Sequence, residues 1–213
     1  MSAGAPVDDA GGRGALTRLL HALDRPGPVS TDHDLTPGAA PPSTLTLRPA
    51  AVLVALQPVA ASSRDGWEVV LTRRSARLVH HPGQISFPGG KLEPADADPE
   101  AAALREAREE VGLESGAVEL LGRLPVHETV TGFAITPVLG RLERRFHPLP
   151  DAAEVEEVFA VPLEHLSDPG RYRIERRRWR GGWRNYYVVP WGPYYIWGAT
   201  ARILRGLAER MAP

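Results

Sequence analysis

A single capped helix set among strand-patterned segments constrains this chain most. Asp98-Pro99-Glu100 supplies an N-cap aspartate, a proline at the first helical position and an acid in the first turn, and Gly112 ends the helix. Before it, AAVLVAL (50–56), WEVVLT (67–72) and GQISF (83–87) read as strands, the first two joined by a polar SSRDG turn. After it, AVELLGRL (117–124), VTGFAITPVLGRL (130–142), VEEVFAV (155–161), YRIERRRW (172–179) and NYYVVPW (185–191) are further strand candidates, and IWGATARILRGLAERM (196–211) is a closing helix. Strands, one helix, more strands and a last helix do not fit regular β-α-β winding. They predict an α/β (α+β) fold, a mixed β-sheet sandwiched between helices.

The first part of the chain reads differently. Residues 1–14 are small and polar and are expected to be disordered, whereas ALTRLLHALD (15–24) spaces Leu16, Leu19, Leu20 and Leu23 as a short helix. Pro26, Pro28, Pro37, Pro41, Pro42 and Pro49 then lie among Gly, Ser and Thr, which predicts a linker along a surface. The expected organisation is an N-terminal extension over 1–48 and a main domain over 49–213. With 213 residues, 43% of them hydrophobic, the chain can bury one sizeable core. No stretch reaches the roughly 20 apolar residues of a membrane helix, and MSAGAPVDDAGGRG lacks the apolar centre of a signal peptide, so a cytoplasmic protein is expected.

Charge and cysteine content narrow the chemistry. There is no cysteine, which excludes disulfides, thiolate zinc sites and cysteine nucleophiles and leaves oxygen or histidine to hold any metal. A net charge of -1 argues against a general polyanion binder. Locally the balance is uneven: residues 93–114 carry eight acids against Arg105 and Arg108, and residues 171–184 carry seven arginines against Glu175. One acidic and one basic block suit joint binding of a cation and an anion.

In LREAREEVGL, Glu106, Glu109 and Glu110 stand at i, i+3 and i+4 on one helical face, so three carboxylates are expected to converge. Like charges at this spacing cost a helix a few tenths of a kcal/mol each, a cost that makes sense where a hard cation such as Mg²⁺ or Mn²⁺ uses the cluster. Arg105, four residues before Glu109, is placed to hold that carboxylate by a charge-assisted hydrogen bond. Taken alone, EAREE reads as a solvated face; its neighbourhood argues otherwise. Phe87-Pro88-Gly89-Gly90 ends a strand and lets backbone approach a ligand or the following loop closely.

This loop and helix together resemble the Nudix hydrolase family, whose signature is G-x5-E-x7-R-E-U-x-E-E-x-G-U. Gly90, Asp96, Arg105, Glu106, Glu109, Glu110, Gly112 and Leu113 occupy its positions, with Asp96 in place of the first glutamate, one extra residue before Arg105, and Ala107 at the first aliphatic position. VLTRRSARLVHHPGQISFPGGK (70–91) is further similar to the segment marking the coenzyme A pyrophosphatases of this family, which share that one-residue extension; GFAITPVLG (132–140) and IWGATARIL (196–204) look like this branch too. The resemblance covers about residues 50–205. Val79 stands where the branch pattern has arginine, and Arg77 or the arginines of 171–184 are the candidates to replace it.

The resemblance implies a Nudix-like mixed sheet between helices and metal-dependent hydrolysis of coenzyme A or its derivatives to 3',5'-ADP and 4'-phosphopantetheine. It implies metal on Glu106, Glu109 and Glu110, catalytic roles for Glu106, Arg105 and Glu109, and substrate contacts from Arg74, Arg77, Gly89, Gly90 and Lys91. Glu106, Glu154, Glu156 and Glu157 are the candidates for the base that takes the water's proton. The implied partner is a small nucleotide rather than a nucleic acid or a membrane, with the chain a monomer or homodimer. Two other readings stand beside it: a Nudix enzyme for another nucleotide such as ADP-ribose or a dinucleoside polyphosphate, and a non-catalytic module that senses a nucleotide or binds RNA, against which the intact REAREE series argues.

Three features remain. RYRIERRRWRGGWR (171–184) interleaves arginine with Tyr172, Ile174, Trp179 and Trp183, which suits a hairpin over an anionic substrate or an RNA-binding ribbon. His80 and His81 are adjacent and so point apart on an extended chain, which favours a surface loop over a metal site. Trp191, Tyr194, Tyr195 and Trp197 are expected to pack in the core or at an interface rather than to stack on a base.

Overall fold

The computed structural model describes residues 10–36, 46–60, 66–179 and 181–212. Among them the strands are β1 (Ser30–Thr31), β2 (Arg48–Pro58), β3 (Trp67–Arg74), β4 (Ile85–Ser86), β5 (Gly89–Lys91), β6 (Val118–Arg123), β7 (His127–Glu128), β8 (Phe133–Leu142), β9 (Val155–Pro162), β10 (Arg173–Trp179), β11 (Gly182–Trp191) and β12 (Tyr194–Trp197). The helices are α1 (Ala10–Asp24), α2 (Pro99–Val111), α3 (Leu163–Leu166) and α4 (Gly198–Met211).

Alternation along β2 sets the layers. Ala51, Leu53 and Ala55 face α2, where they are buried with Ala102, Ala103, Ala107 and Val111. Val54 and Leu56 face the other way and are buried with Val69, Leu71, Leu19 of α1 and Leu204 and Leu207 of α4. A sheet covered on both faces needs apolar residues at consecutive positions, which is why 50–56 reads as a continuous apolar run. The sheet is nine-stranded in the order β1-β7-β8-β2-β3-β4, with β5 also on β2, β6 on β8 and β9 on β3. β2 and β8 run parallel. Parallel neighbours need a crossover, and α2 lies within it. The expected mixed sheet between helices is therefore the observed fold, with β10-β11-β12 as a second, antiparallel sheet.

Several boundaries differ from expectation, each for a local reason. The strand expected over 83–87 is only Ile85–Ser86, and the chain then returns as β5 against β2. Pro88 has no N–H to donate; its carbonyl instead accepts from Leu53 at 2.8 Å. Residues 130–132, expected in a strand, form the β7–β8 turn, closed by Gly132 at φ 86°. The closing helix begins at Gly198 rather than at 196, because Tyr194–Trp197 pairs with β11. Helix α1 begins at Ala10, so residues 10–14 are helical rather than disordered; residues 1–9, with the rest of that expectation, lie outside the described residues, as do Pro37, Pro41, Pro42 and most of the SSRDG turn. Ala15, Leu19 and Ala22 of α1 are buried in the main core. No helix among the described residues is long and apolar enough to cross a membrane.

Candidate active site

Helix α2 is fixed at both ends before it positions anything. Asp98 Oδ1 accepts the Ala101 N–H at 2.8 Å, and Gly112 takes the left-handed conformation (φ 71°) with its N–H bonded to Arg108 O at 3.0 Å. The alanine face packs on β2, which turns Glu106 and Glu110 toward the β5 loop. Glu110 is almost fully buried, with a side-chain exposure of 5%, and its Oε2 accepts the Gly89 N–H at 3.1 Å. Gly90 lies so close to Glu106 that a Cβ on it would be 2.4 Å from Oε1. The glycines thus bring backbone against both carboxylates, as the FPGG segment led one to expect.

Arg105 organises the outer side. Its Nε and Nη2 grip Asp96 at 3.1 and 3.0 Å, Nη2 also donates to Lys91 O at 3.1 Å, and Nη1 donates to both Glu106 Oε1 and Glu109 Oε2 at 3.0 Å. Asp96, held by this fork, has its carboxyl below the usual range. The inner pair behaves oppositely. Burial raises the Glu110 carboxyl to about 7, with the neighbouring charges of Glu106 and Glu154 adding to the shift against the Gly89 hydrogen bond and Arg74. Glu106 is also raised, first by burial and then by Glu109 and Glu154, against the pull of Arg105.

The three glutamates do not converge as one set. Glu109 points to solvent, with its side chain 51% exposed, and among the described residues no three carboxylate or imidazole side chains stand close enough to share one ion. Arg105 Nη1, 3.0 Å from each, is the link between Glu109 Oε2 and Glu106 Oε1. Glu106 and Glu110 nonetheless fit a hard divalent cation: two carboxylates of like charge, partly stripped of water, beside a glycine cradle that any Cβ would fill. Mg²⁺ is commonly held by one or two carboxylates, with waters and substrate phosphates completing the shell.

Beside this pair opens a cavity of about 520 Å³. Arg74 belongs to both: it lines the cavity, and its Nη1 lies 3.8 Å from Glu110 Oε1. Of the arginines in 171–184, Arg177 and Arg184 line the cavity, along with Tyr186 and Trp197. Trp191 and Tyr194 pack on the core as expected and Trp197 packs against Tyr186 at the cavity wall, whereas Tyr195 is exposed and departs from the packing role expected for it. Arg77 and Val79 are exposed and off the cavity wall, and Lys91 is exposed on β5. His80 and His81 are exposed in a loop, with His81 on the cavity rim. Among the base candidates, Arg73 holds Glu156 and Glu157 at 3.2 Å each and Tyr194 donates to Glu157 at 2.6 Å. Glu154 is the one of the three that bears electrostatically on both Glu106 and Glu110.

One wall of the cavity was missed by reading the sequence. Asp32, in the segment read as linker, lines the cavity; its carboxylate meets His127 Nε2 at 3.3 Å and accepts the Val130 N–H at 2.9 Å. His127 is fully buried and shares its Nδ1 with Ser30 Oγ at 2.9 Å. Arg184 donates to Asp32 O at 2.9 Å, and Asn185 donates to Leu35 O at 2.8 Å. Burial opposes ionisation of Asp32, but His127, the Val130 N–H and Arg184 outweigh it and hold the carboxyl low. The signal for this was weak: a lone buried histidine pairs with a residue nearly a hundred positions away.

A NUDIX domain model matches residues 48–180. The chain is 43% identical over 165 residues to the uncharacterized Nudix hydrolase NudL of Citrobacter koseri, covering 78% of this chain and 83% of that protein. It is 41% identical to the protein of the same description from Salmonella paratyphi B, with the same coverage. The crystal structure of a Nudix hydrolase from M. smegmatis, RenU, is similar at 24% identity, over 55% of this chain and 72% of that one, with a TM-score of 0.47. The domain match takes in the glycine loop, α2 and most of the strands that frame them, and the two curated relatives are 43% and 41% identical over most of their length: this chain belongs to the Nudix hydrolase family.

Proposed function

We propose that this Nudix hydrolase cleaves the diphosphate of coenzyme A or a CoA derivative, giving 3',5'-ADP and 4'-phosphopantetheine, with Mg²⁺ or Mn²⁺ as the metal. The observation that carries this reading is Arg74, a side chain common to the cavity and to buried Glu110. A nucleotide seated in the cavity has its diphosphate beside a cation and against the Glu106–Glu110 pair. The similarity of residues 70–91 to the coenzyme A pyrophosphatases supports CoA as the nucleotide, and about 520 Å³ suits a ligand of that class.

Hydrolysis adds water across the P–O–P link: the water oxygen bonds one phosphorus as the bridging oxygen leaves on the other phosphate. Glu106 and Glu110 would hold the metal; a bound Mg²⁺ or Mn²⁺ would supply charge neutralisation and Lewis acidity toward the diphosphate. Arg105 keeps Glu106 oriented and Glu109 within reach through its fork on Asp96. Gly89 and Gly90 leave room where any side chain would collide with β2 or Glu106. The water's proton goes to a carboxylate of this cluster, Glu106 or the nearby Glu154, since Arg73 occupies Glu156 and Glu157. The chain acts in the cytoplasm on a small molecule.

The test is incubation with Mg²⁺ or Mn²⁺ and, separately, CoA, ADP-ribose, NADH and diadenosine polyphosphates, with products separated by chromatography. CoA turning over with the highest kcat/KM to the two named products supports the reading. Preference for ADP-ribose or a dinucleoside polyphosphate overturns it in favour of another nucleotide.

A further inference from the structure

Arg177 and Arg184 stand directly opposite one another in the β10–β11 hairpin and line the same cavity. Like charges directly across an antiparallel pair are destabilising unless something offsets them. For Arg184 that something is Asp32, through its carbonyl at 2.9 Å and its carboxylate at 3.9 Å. Arg177 forms no ion pair among the described residues; its guanidinium lies over the Trp197 ring, 4.9 Å from the centroid. A cation–π contact holds the guanidinium at the ring without using its N–H donors, and a planar fork matches a phosphate bidentately. Trp197 is itself braced by Tyr186 edge-on at 5.3 Å.

Resting on the CoA reading, we propose that Arg177 is the binding residue for the 3'-phosphate of the substrate, a phosphomonoester separate from the diphosphate that Arg74 and the glutamates receive. It takes the part left open by Val79, whereas Arg77, exposed and off the cavity wall, does not.

CoA and dephospho-CoA share the diphosphate and the pantetheine arm and differ only in this phosphate, so the test compares them. Arg177→Ala should lower kcat/KM for CoA about tenfold to a hundredfold, as expected for one charge-assisted contact, and change dephospho-CoA by less than about twofold. Arg177→Lys, which keeps the charge but not the fork, should give a smaller loss of the same selectivity. Arg178→Ala, whose neighbouring side chain does not line the cavity, should leave the ratio of the two substrates unaltered. Equal losses for both substrates in both Arg177 variants, or a selective loss in Arg77→Ala alone, overturn the assignment. Calorimetric binding of adenosine 3',5'-bisphosphate against AMP separates this from the substrate reading. If CoA is not cleaved but the wild type prefers the bisphosphate and Arg177→Ala does not, the CoA reading fails and this inference stands; equal binding of both ligands by the wild type overturns it.

Discussion

The glutamate end of the site and the arginine-lined wall of the cavity solve opposite electrostatic problems. At the glutamate end, like charges are buried side by side and the carboxyls of Glu106 and Glu110 are pushed up. At the wall, opposite charges are matched: Asp32 meets His127, Arg184 and the Val130 N–H, and its carboxyl is held down. A structure stabilised for its own sake looks like the wall. The glutamate pair instead keeps a strain that an external cation would relieve, which marks it as the place for chemistry, whereas the wall marks the place for recognition.

The strongest way to break this comparison is to withhold the cation. Excess EDTA should abolish diphosphate hydrolysis and added Mg²⁺ or Mn²⁺ should restore it; full turnover in EDTA would remove the reason for burying two carboxylates together. Next in size, Glu106→Gln and Glu110→Gln should each lower kcat by on the order of 10²- to 10⁴-fold in steady-state assays while the fold persists. Arg105→Ala removes the hydrogen bond and the charge beside Glu106 but no metal-holding carboxylate, and a loss of about 10- to 100-fold is expected, with a changed apparent affinity for the metal in a titration of activity.

Stability measurements sharpen the contrast from the other side. Asp32→Asn should cost about 1–3 kcal/mol near neutral pH, since a half-buried carboxylate gives up charge-assisted partners; thermal melts should show a Tm lower by roughly 2–4 °C per kcal/mol. A depressed folded-state pKa means this contribution is present above the ordinary value of 3.8 and is lost as pH falls through the lower folded value, so the difference between variant and wild type should shrink in acid. Glu110 carries the reverse sign. Its folded pKa is raised to about 7 from 4.5, so the metal-free protein loses stability as pH rises between those values, and Glu110→Gln in EDTA at pH 8 should melt above the wild type. A lower melting temperature for that variant would show that the pair is stabilising by itself.

How legible each region was follows from how its residues are spaced. Helix α2, its caps, the glycine loop and the Arg105–Glu109 contact lie within one stretch whose local rules suffice, and the apolar runs of β2 and β3 announce a sheet buried on both faces. That Glu109 stays exposed while Glu110 is buried was not legible, because it depends on how α2 packs against the sheet. The wall was less legible still. Residues Asp32, Arg74, Val130, Arg177, Arg184 and Trp197 come from segments scattered along the chain, and only the parallel pairing of β1 with β7 brings Asp32 to His127. Proline spacing in 25–49 carried no information that Asp32 would line a cavity.

The division of labour between the two regions is tested most directly by crossing Glu110→Gln and Arg177→Ala with CoA and dephospho-CoA in steady-state kinetics. The expected result is that Glu110→Gln lowers kcat for both substrates by the same large factor, while Arg177→Ala raises KM for CoA alone. A substrate-selective effect of Glu110→Gln, or an equal fall in kcat for both substrates with Arg177→Ala, would contradict the account.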